Sequence, residues 1–373
     1  MRPASTRTTR IRAVGLTAGL SAAALAAGAF TAPAGAAPAP AGSRAPVPVA
    51  TPTAAAPGAD TAAKGGARLH SNAELARELN RIARASKGRV RVERIGTSNE
   101  GRPLWFATLG TGRKRLMYVT QQHGNEPLGT ESALKALRTL GLRDDRATRA
   151  LRSEITLGVL VRANPDGHHH GWRYNHDPDA RPEYGEPGKG YDINRYHDPD
   201  VRPDDNPVPE AAAVQRTYAA FRPSIVVDYH MQGRYAFPPP DGREITTSIL
   251  WPTAEGVPAD ALAASKRVGV RVYEAFTRSG AVVSQYPGGS YQGIARNAYG
   301  LRGSASLLVE LSALPPEREN FQIRTAYVSM IDLARAAASG ALDGIDPSRA
   351  DAIPPRGPAL PGDSAAAQGA ATD

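Results

Sequence analysis

An α/β domain with a central mixed, largely parallel β-sheet flanked by helices is the fold class this sequence predicts. Three observations predict it. A continuous apolar run at 155–161 and largely apolar ones at 224–229 and 306–311 have the length and composition of strands buried on both faces. Helical patterns at 209–221 and 259–278 separate them, as crossovers between parallel strands require. An earlier pair of runs, Val90 to Ile95 and Trp105 to Leu109, is joined by the turn-rich segment 96–103 and reads as an antiparallel hairpin.

Taken in order, Ser71-Asn72-Ala73-Glu74 is a capping box that opens a helix with Leu75, Leu79 and Ile82 on one face, closed by Gly88. The hairpin follows. A strand at 116–120 then runs into Gln121-Gln122-His123-Gly124-Asn125-Glu126-Pro127, where Gly124 and Pro127 argue for a turn. A helix at 129–140 follows, and the strand 155–161 ends at Asn164-Pro165-Asp166-Gly167. The next stretch, to about Asn206, is a long loop rich in His, Asp, Pro, Gly and Tyr, and loops of that length in compact domains are usually functional or disordered. The rest comprises helix 209–221, strand 224–229 ending at His230, helix 259–278, strand 281–284, strand 306–311 containing Glu310, and helix 320–338.

The two ends differ in character. Residues 1–36 carry four arginines, an apolar run from Ala13 to Phe30 and then Ala34-Gly35-Ala36, the pattern of a cleaved secretory signal peptide. Residues 37–68 form an Ala/Pro-rich linker, and 346–373 have the composition of a disordered tail. The folded domain is expected at 69–345, roughly 275 residues, near the upper size of one core. The formal charge of +9 falls to +5 once the signal's four arginines are set aside, too mild to imply a nucleic-acid partner. There is no cysteine, which excludes disulfides, thiolate metal sites and a cysteine nucleophile. Export is expected to leave a secreted protein without a stable membrane anchor.

Ionisable groups stand at the ends of three buried-type strands: His123 with Glu126, His230, and Glu310. Open α/β sheets bind ligands outside the carboxyl ends of their strands, so distant residues can share one cleft there. His123, Glu126 and His230 make a His-Glu-His set with an open fourth position, the pattern of catalytic zinc, and one Zn2+ is expected. Asp228 lies two residues before His230 on the same strand face and can orient a ligand histidine. A glutamate in the apolar strand around Glu310 needs either a salt-bridge partner or a role as base toward activated water.

In this order the motifs resemble the zinc metallocarboxypeptidases of the carboxypeptidase A/B type. The similarity covers about 69–340 and rests on Gly96-Thr97-Ser98-Asn99-Glu100-Gly101-Arg102-Pro103, His123-Gly124-Asn125-Glu126 and Asn164-Pro165-Asp166-Gly167. Trp172-Arg173, Tyr191-Asp192-Ile193-Asn194-Arg195, Tyr229-His230 and Val309-Glu310-Leu311 complete it. The resemblance implies a carboxypeptidase-like fold and a secreted peptidase that cleaves C-terminal residues from a peptide or protein with a free C-terminus. It implies zinc held by His123, Glu126 and His230, with Glu310 as general base. It further implies Arg173 at the scissile carbonyl, and Asn194 with Arg195 on the terminal carboxylate. The family's mobile tyrosine lies ahead of a Gly-Gly-Ser turn. Tyr286, just before Gly288-Gly289-Ser290, is the candidate here, with Tyr291 and Tyr299 as alternatives. No residue stands out for the base of the specificity pocket.

Related zinc hydrolases acting on cell-wall peptides or N-acyl amino acids share His-Gly-Asn-Glu and Asp-Ile-Asn-Arg, and a catalytically inactive secreted binding protein of this fold is the non-enzymatic alternative. Histidines 168, 169, 170, 176 and 197 read as a solvated loop in preference to a second metal site. Gly288-Gly289-Ser290-Tyr291-Gln292 misses the serine-hydrolase elbow by its last glycine.

Overall fold

The computed structural model describes residues 66–361. The signal segment 1–36, nearly all of the linker and residues 362–373 lie outside the described residues.

The chain forms α1 (Asn72–Ala85), β1 (Val90–Thr97), β2 (Pro103–Gly110), β3 (Lys114–Thr120), α2 (Leu128–Leu142), α3 (Arg146–Glu154), β4 (Ile155–Val161) and α4 (Pro165–His170). A small hairpin of β5 (Gly185–Glu186) and β6 (Gly190–Tyr191) lies in the long loop. Then come α5 (Pro209–Phe221), β7 (Ile225–Gln232), β8 (Tyr235–Ala236), β9 (Glu244–Ile245), β10 (Thr247–Leu250) and α6 (Ala259–Arg278). Last are β11 (Val283–Gln285), α7 (Ala295–Leu301), β12 (Ala305–Ser312) and α8 (Glu319–Ser339). Eight strands make the central sheet, in the order β1-β2-β4-β3-β7-β12-β10-β11. Its middle, β4-β3-β7-β12, is parallel, while β1, β2 and β10 join antiparallel. The sheet is therefore mixed, with the parallel centre that the apolar runs predict.

The period of two along the central strands divides the core. Leu116, Tyr118, Leu157, Val159, Val227, Tyr229, Leu307 and Val309 face the larger cluster, which receives Leu75, Leu79 and Ile82 of α1 and apolar residues of α2, α6 and α8. Met117, Val119, Leu160 and Val226 face the other way, against Val214 and Tyr218 of α5 and Ala295 and Tyr299 of α7. Burying each large aliphatic side chain contributes about 1.5–3 kcal/mol, so neither face can be given up. The capping box of α1 is present, Ser71 and Glu74 each satisfying the other's backbone N–H.

Short α4 and the two-residue strands escape the sequence reading, and so do three further elements. Helix α3 is polar on average, with only Leu151 as an apolar buried residue. Strand β10 has four residues, and α7 opens without a side-chain cap. Order also persists past Asp346, where composition predicts a disordered tail. Residues 347–352 form a 3-10 turn, and Ala350 and Ile353 join the main core. Beyond them the chain runs as an extra edge: Gln285 N–H donates to the Pro354 carbonyl (2.7 Å), Arg356 N–H to Gln285 (3.0 Å) and Leu360 N–H to Arg234 (2.9 Å). Two apolar anchors and an exposed sheet edge suffice to order a Pro-rich segment.

Candidate metal centre and active-site cleft

The turn after β3 is built under strain. Gln121 has φ +57°, a left-handed conformation that costs a non-glycine residue about 1 kcal/mol. Its side chain holds it there: Nε2 donates to the Gly124 carbonyl (2.7 Å), and Oε1 accepts from Thr130 Oγ1 (2.8 Å) and Arg162 Nε (2.9 Å). The His-Gly-Asn-Glu turn also leans on the Asn-Pro-Asp-Gly turn. A Cβ on Gly124 would fall 2.0 Å from the Gly167 carbonyl carbon, so the contact requires glycine. Asn164 Nδ2 donates to the carbonyls of Gln122 (3.1 Å) and Arg173 (3.0 Å). Asp166 accepts from Ser98 Oγ (2.7 Å), Glu100 N–H (3.0 Å) and Arg102 (2.7 Å). Three turn motifs distant in sequence thus brace one another, and His123 and Glu126 are fixed by the result.

His230 enters from β7. All three side chains are buried, at 3%, 6% and 1% exposure for His123, Glu126 and His230. His123 Nδ1 lies 2.8 Å from Glu126 Oε1, His230 Nδ1 lies 3.1 Å from Glu126 Oε2, and the two Nδ1 atoms are 3.1 Å apart. The opposite nitrogens meet carboxylates. His123 Nε2–H donates to Asp192 Oδ1 at 3.1 Å, and His230 Nε2 stands 3.1 Å from Asp228 Oδ2. A carboxylate beside each Nε2 favours the proton there, which frees the two Nδ1 atoms, each within 3.1 Å of a Glu126 oxygen, to act as ligands. Two imidazole nitrogens and a carboxylate converging in this way fit a borderline cation such as zinc.

Asp192 is the residue that sequence reasoning passed over. Besides His123 it accepts the Asn194 N–H (3.1 Å) and two bonds from Arg173, at 3.0 Å from Nε and 2.8 Å from Nη2. Burial opposes its ionisation, but the Arg173 charge and the hydrogen bond from His123 win and hold its pKa well below the usual carboxylate range. Its position two residues ahead of Asn194, capping a 3-10 turn, was the available signal. On the other side, Asp228 accepts from Gln122 Nε2 (2.5 Å), and Gln122 Oε1 faces His197 Nε2 (2.5 Å). His197 is fully buried, and burial lowers its pKa to about 4.

A cleft of about 320 Å3 opens beside these groups, lined by His123, Glu126, Arg173, Asn194, Arg195, Tyr286 and Glu310 among others. Glu310 stands opposite His230 in the parallel register of β12 and β7. Its Oε2 is buried without a partner, and burial raises its pKa to about 7, with the nearby Glu126 carboxylate acting in the same direction. Arg173 is pinned by Asp192 with Nη1 3.4 Å from His123 Nδ1. Asn194 Oδ1 accepts the Ala295 N–H (3.0 Å), and Arg195 Nη1 donates to the Asn194 carbonyl (3.2 Å). Of the three candidate tyrosines, Tyr286 lines this cleft. Tyr291 stacks on Tyr184, and Tyr299 packs on Tyr218 in the core.

Three of the remaining histidines gather beside Glu100, with His170 stacked on His176 and His169 edge-on to His170. His168 contacts Gln121 and His197 faces Gln122, while His170 and His176 reach Glu100 at 2.9 and 3.4 Å. Arg102 also pairs with Glu100.

The model of the zinc carboxypeptidase family matches residues 75–319, more than half of the chain. Over 108 residues the chain is 29% identical to carboxypeptidase E of Caenorhabditis elegans, a match covering 26% of this chain and 23% of that protein. Over 94 residues it is 31% identical to an uncharacterized protein of Zymomonas mobilis, covering 25% of each. The chain thus spans about a quarter of the length of the curated relatives it matches. Among solved structures, carboxypeptidase A from Helicoverpa armigera superposes with a TM-score of 0.58 at 21% identity, covering 74% of this chain and 75% of that one. A metallo-carboxypeptidase from Burkholderia cenocepacia gives 0.54 at 20% identity, covering 72% and 69%. These structures share the fold.

Proposed function

The chain belongs to the zinc carboxypeptidase family, and from that premise we propose that it is a secreted exopeptidase that hydrolyses the C-terminal peptide bond of peptides or proteins. The observation that carries the reading is the convergence of two histidine Nδ1 atoms and Glu126 beside a cleft that also holds Glu310 and the Arg195 guanidinium.

His123, Glu126 and His230 would hold one zinc ion, which when bound supplies Lewis acidity toward water and the scissile carbonyl. Asp192 and Asp228 keep the two imidazoles in the ligating tautomer and orientation. Glu310 takes the proton of the attacking water and passes it to the leaving nitrogen, a task that suits a buried carboxylate whose Oε2 has no partner and whose pKa burial raises to about 7. Arg173, charged and held by Asp192, donates to the carbonyl oxygen as negative charge grows there. Asn194 and Arg195 bind the terminal carboxylate, for which a guanidinium supplies paired donors. Tyr286 contacts substrate from the facing wall of the cleft.

Export through residues 1–36 is part of the same proposal, supported by their composition. Among the described residues no helix is long and apolar enough to cross a membrane. The deciding experiment is product analysis on a peptide library before chelation, after chelation and after zinc restoration. Zinc-dependent release of single C-terminal residues is expected, and its loss when the C-terminus is amidated. Internal cleavage, or Arg195→Ala retaining the preference for a free carboxylate, would overturn the exopeptidase reading.

A further inference from the structure

Besides the clamp, the cleft contains a second buried cation that the proposed reaction does not use. Arg296, on α7, is 3% exposed and lines the cleft together with Arg195, Tyr286 and Glu310. Its Nη2 donates to the Gly289 carbonyl and to Thr253 Oγ1 (3.1 Å), while Nε is buried with no partner. Among the described residues no carboxylate lies within ion-pair distance of it. Arg162 shows what a structural arginine looks like in this protein. It is as deeply buried, but its Nε, Nη1 and Nη2 bond Gln121, Asn72 and His70, and it does not line this cleft. Arg173, the other cation beside the metal ligands, is neutralised by Asp192.

The surroundings are shaped for a small anionic group. Leu250, Tyr286 and Leu308 form an apolar cluster there, and Leu308 and Tyr286 line the cleft itself. A Cβ on Gly288 would fall 2.7 Å from Arg296 Nη2 and 2.6 Å from Leu250 Cδ2, so the guanidinium packs directly on the Gly288 backbone and only glycine fits beside it. The Asn194–Ala295 hydrogen bond ties the carboxylate clamp to the residue preceding Arg296, which fixes the two cationic positions relative to each other. Burial, and to a lesser extent the Arg195 charge, lowers the Arg296 pKa to about 10, which leaves it a cation at neutral pH.

We infer that the cleft is a dicarboxylate site, in which Arg296 receives the side-chain carboxylate of a substrate whose C-terminal residue is glutamate or aspartate. This rests on the reading of Asn194 and Arg195 as the clamp for the terminal carboxylate. A second carboxylate pairs a buried guanidinium that is otherwise uncompensated. An apolar residue leaves that guanidinium desolvated and unpaired, and a C-terminal lysine adds a like charge.

The test compares peptides identical except for a C-terminal Glu, Gln, Leu or Lys, alongside equilibrium binding of N-acetyl-L-glutamate and N-acetyl-L-glutamine to the full-length protein. The Glu peptide should exceed its isosteric Gln counterpart by about 100-fold or more in kcat/KM, and N-acetyl-L-glutamate should bind at least about tenfold more tightly than the amide. Arg296→Met should collapse both ratios, and Arg296→Lys, which keeps a charge, should restore part of them. Peptide cleavage without an acidic preference overturns the inference and leaves the exopeptidase reading intact. Arg296-dependent binding of N-acetyl-L-glutamate without any peptide cleavage does the reverse. Equal binding of acid and amide, or an unchanged ratio in Arg296→Met, also overturns it. If the Met variant fails to fold, the wild-type ratios and the Lys variant still decide.

Discussion

Glu310 lies directly beside His230, as Cα partners in the parallel register of β12 and β7. Paired residues of parallel strands project to the same face, so the candidate base and a candidate metal ligand are set side by side by backbone hydrogen bonding alone. A one-residue slip of β12 would send Glu310 to the opposite face, into the larger core. The Cα position of Glu310 is therefore fixed by the sheet.

Glu310→Gln should leave zinc content unchanged, because the carboxylate is not one of the three converging donors. Turnover should fall by about 10²–10⁴, with KM little altered. Metal analysis and kcat on one preparation check this, and full activity in the variant would remove Glu310 from the role of base.

Asp192→Asn keeps the side chain's size and removes its charge, so His123 loses its carboxylate orienter and Arg173 its counter-ion. Zinc affinity should fall by about 10–100-fold. A competition titration against a chelator measures it. Unchanged affinity would mean that the turn motifs alone orient His123.

Glu210 gives a pH signature away from the cleft. Its Oε2 accepts from Asn175 Nδ2 (2.9 Å), its Oε1 is buried without a partner, and burial raises its pKa from 4.5 to about 7. The folded protein then retains a proton that the unfolded chain has already lost between those values. This group's contribution to stability is therefore present at low pH and declines as pH rises from 4.5 toward 7, by about 3 kcal/mol at most. Glu210→Gln should abolish that decline, making the variant more stable than wild type at pH 8 and nearly equal at pH 4.5. Urea melts at both pH values test it, and parallel curves would refute it.

Gly124→Ala puts a methyl 2.0 Å from the Gly167 backbone. The two braced turns must separate, at a cost of about 1–3 kcal/mol, and zinc affinity should drop with stability. Thermal melts with and without zinc check both. A silent substitution would show that the contact between the turns is not needed.

Local rules account for most of the fold. The capping box, the hairpin with its turn, and the apolar central strands follow from spacing and propensity within windows of a few residues. Helix α3, strand β10 and the ordered segment 347–361 escape because each has few apolar residues and gains its stability from partners elsewhere in the chain. A window cannot register burial supplied from a distance.

The sequence by itself determined the kind of chemistry: which strand ends carry His123, Glu126, His230 and Glu310, and the family whose motifs occur in that order. Only the tertiary structure decided how those ends are completed. It brought Asp192 onto His123 and Arg173 together, buried His197 behind Gln122 and Asp228, and set Tyr286 in the lining of the cleft. It also placed Arg296 in the cleft, within a segment where the sequence offered no base for the specificity pocket. The physical reason is that a side chain's charge state and role depend on burial and on neighbours from other strands and loops. Those neighbours are chosen by the register of the sheet, which no local pattern encodes.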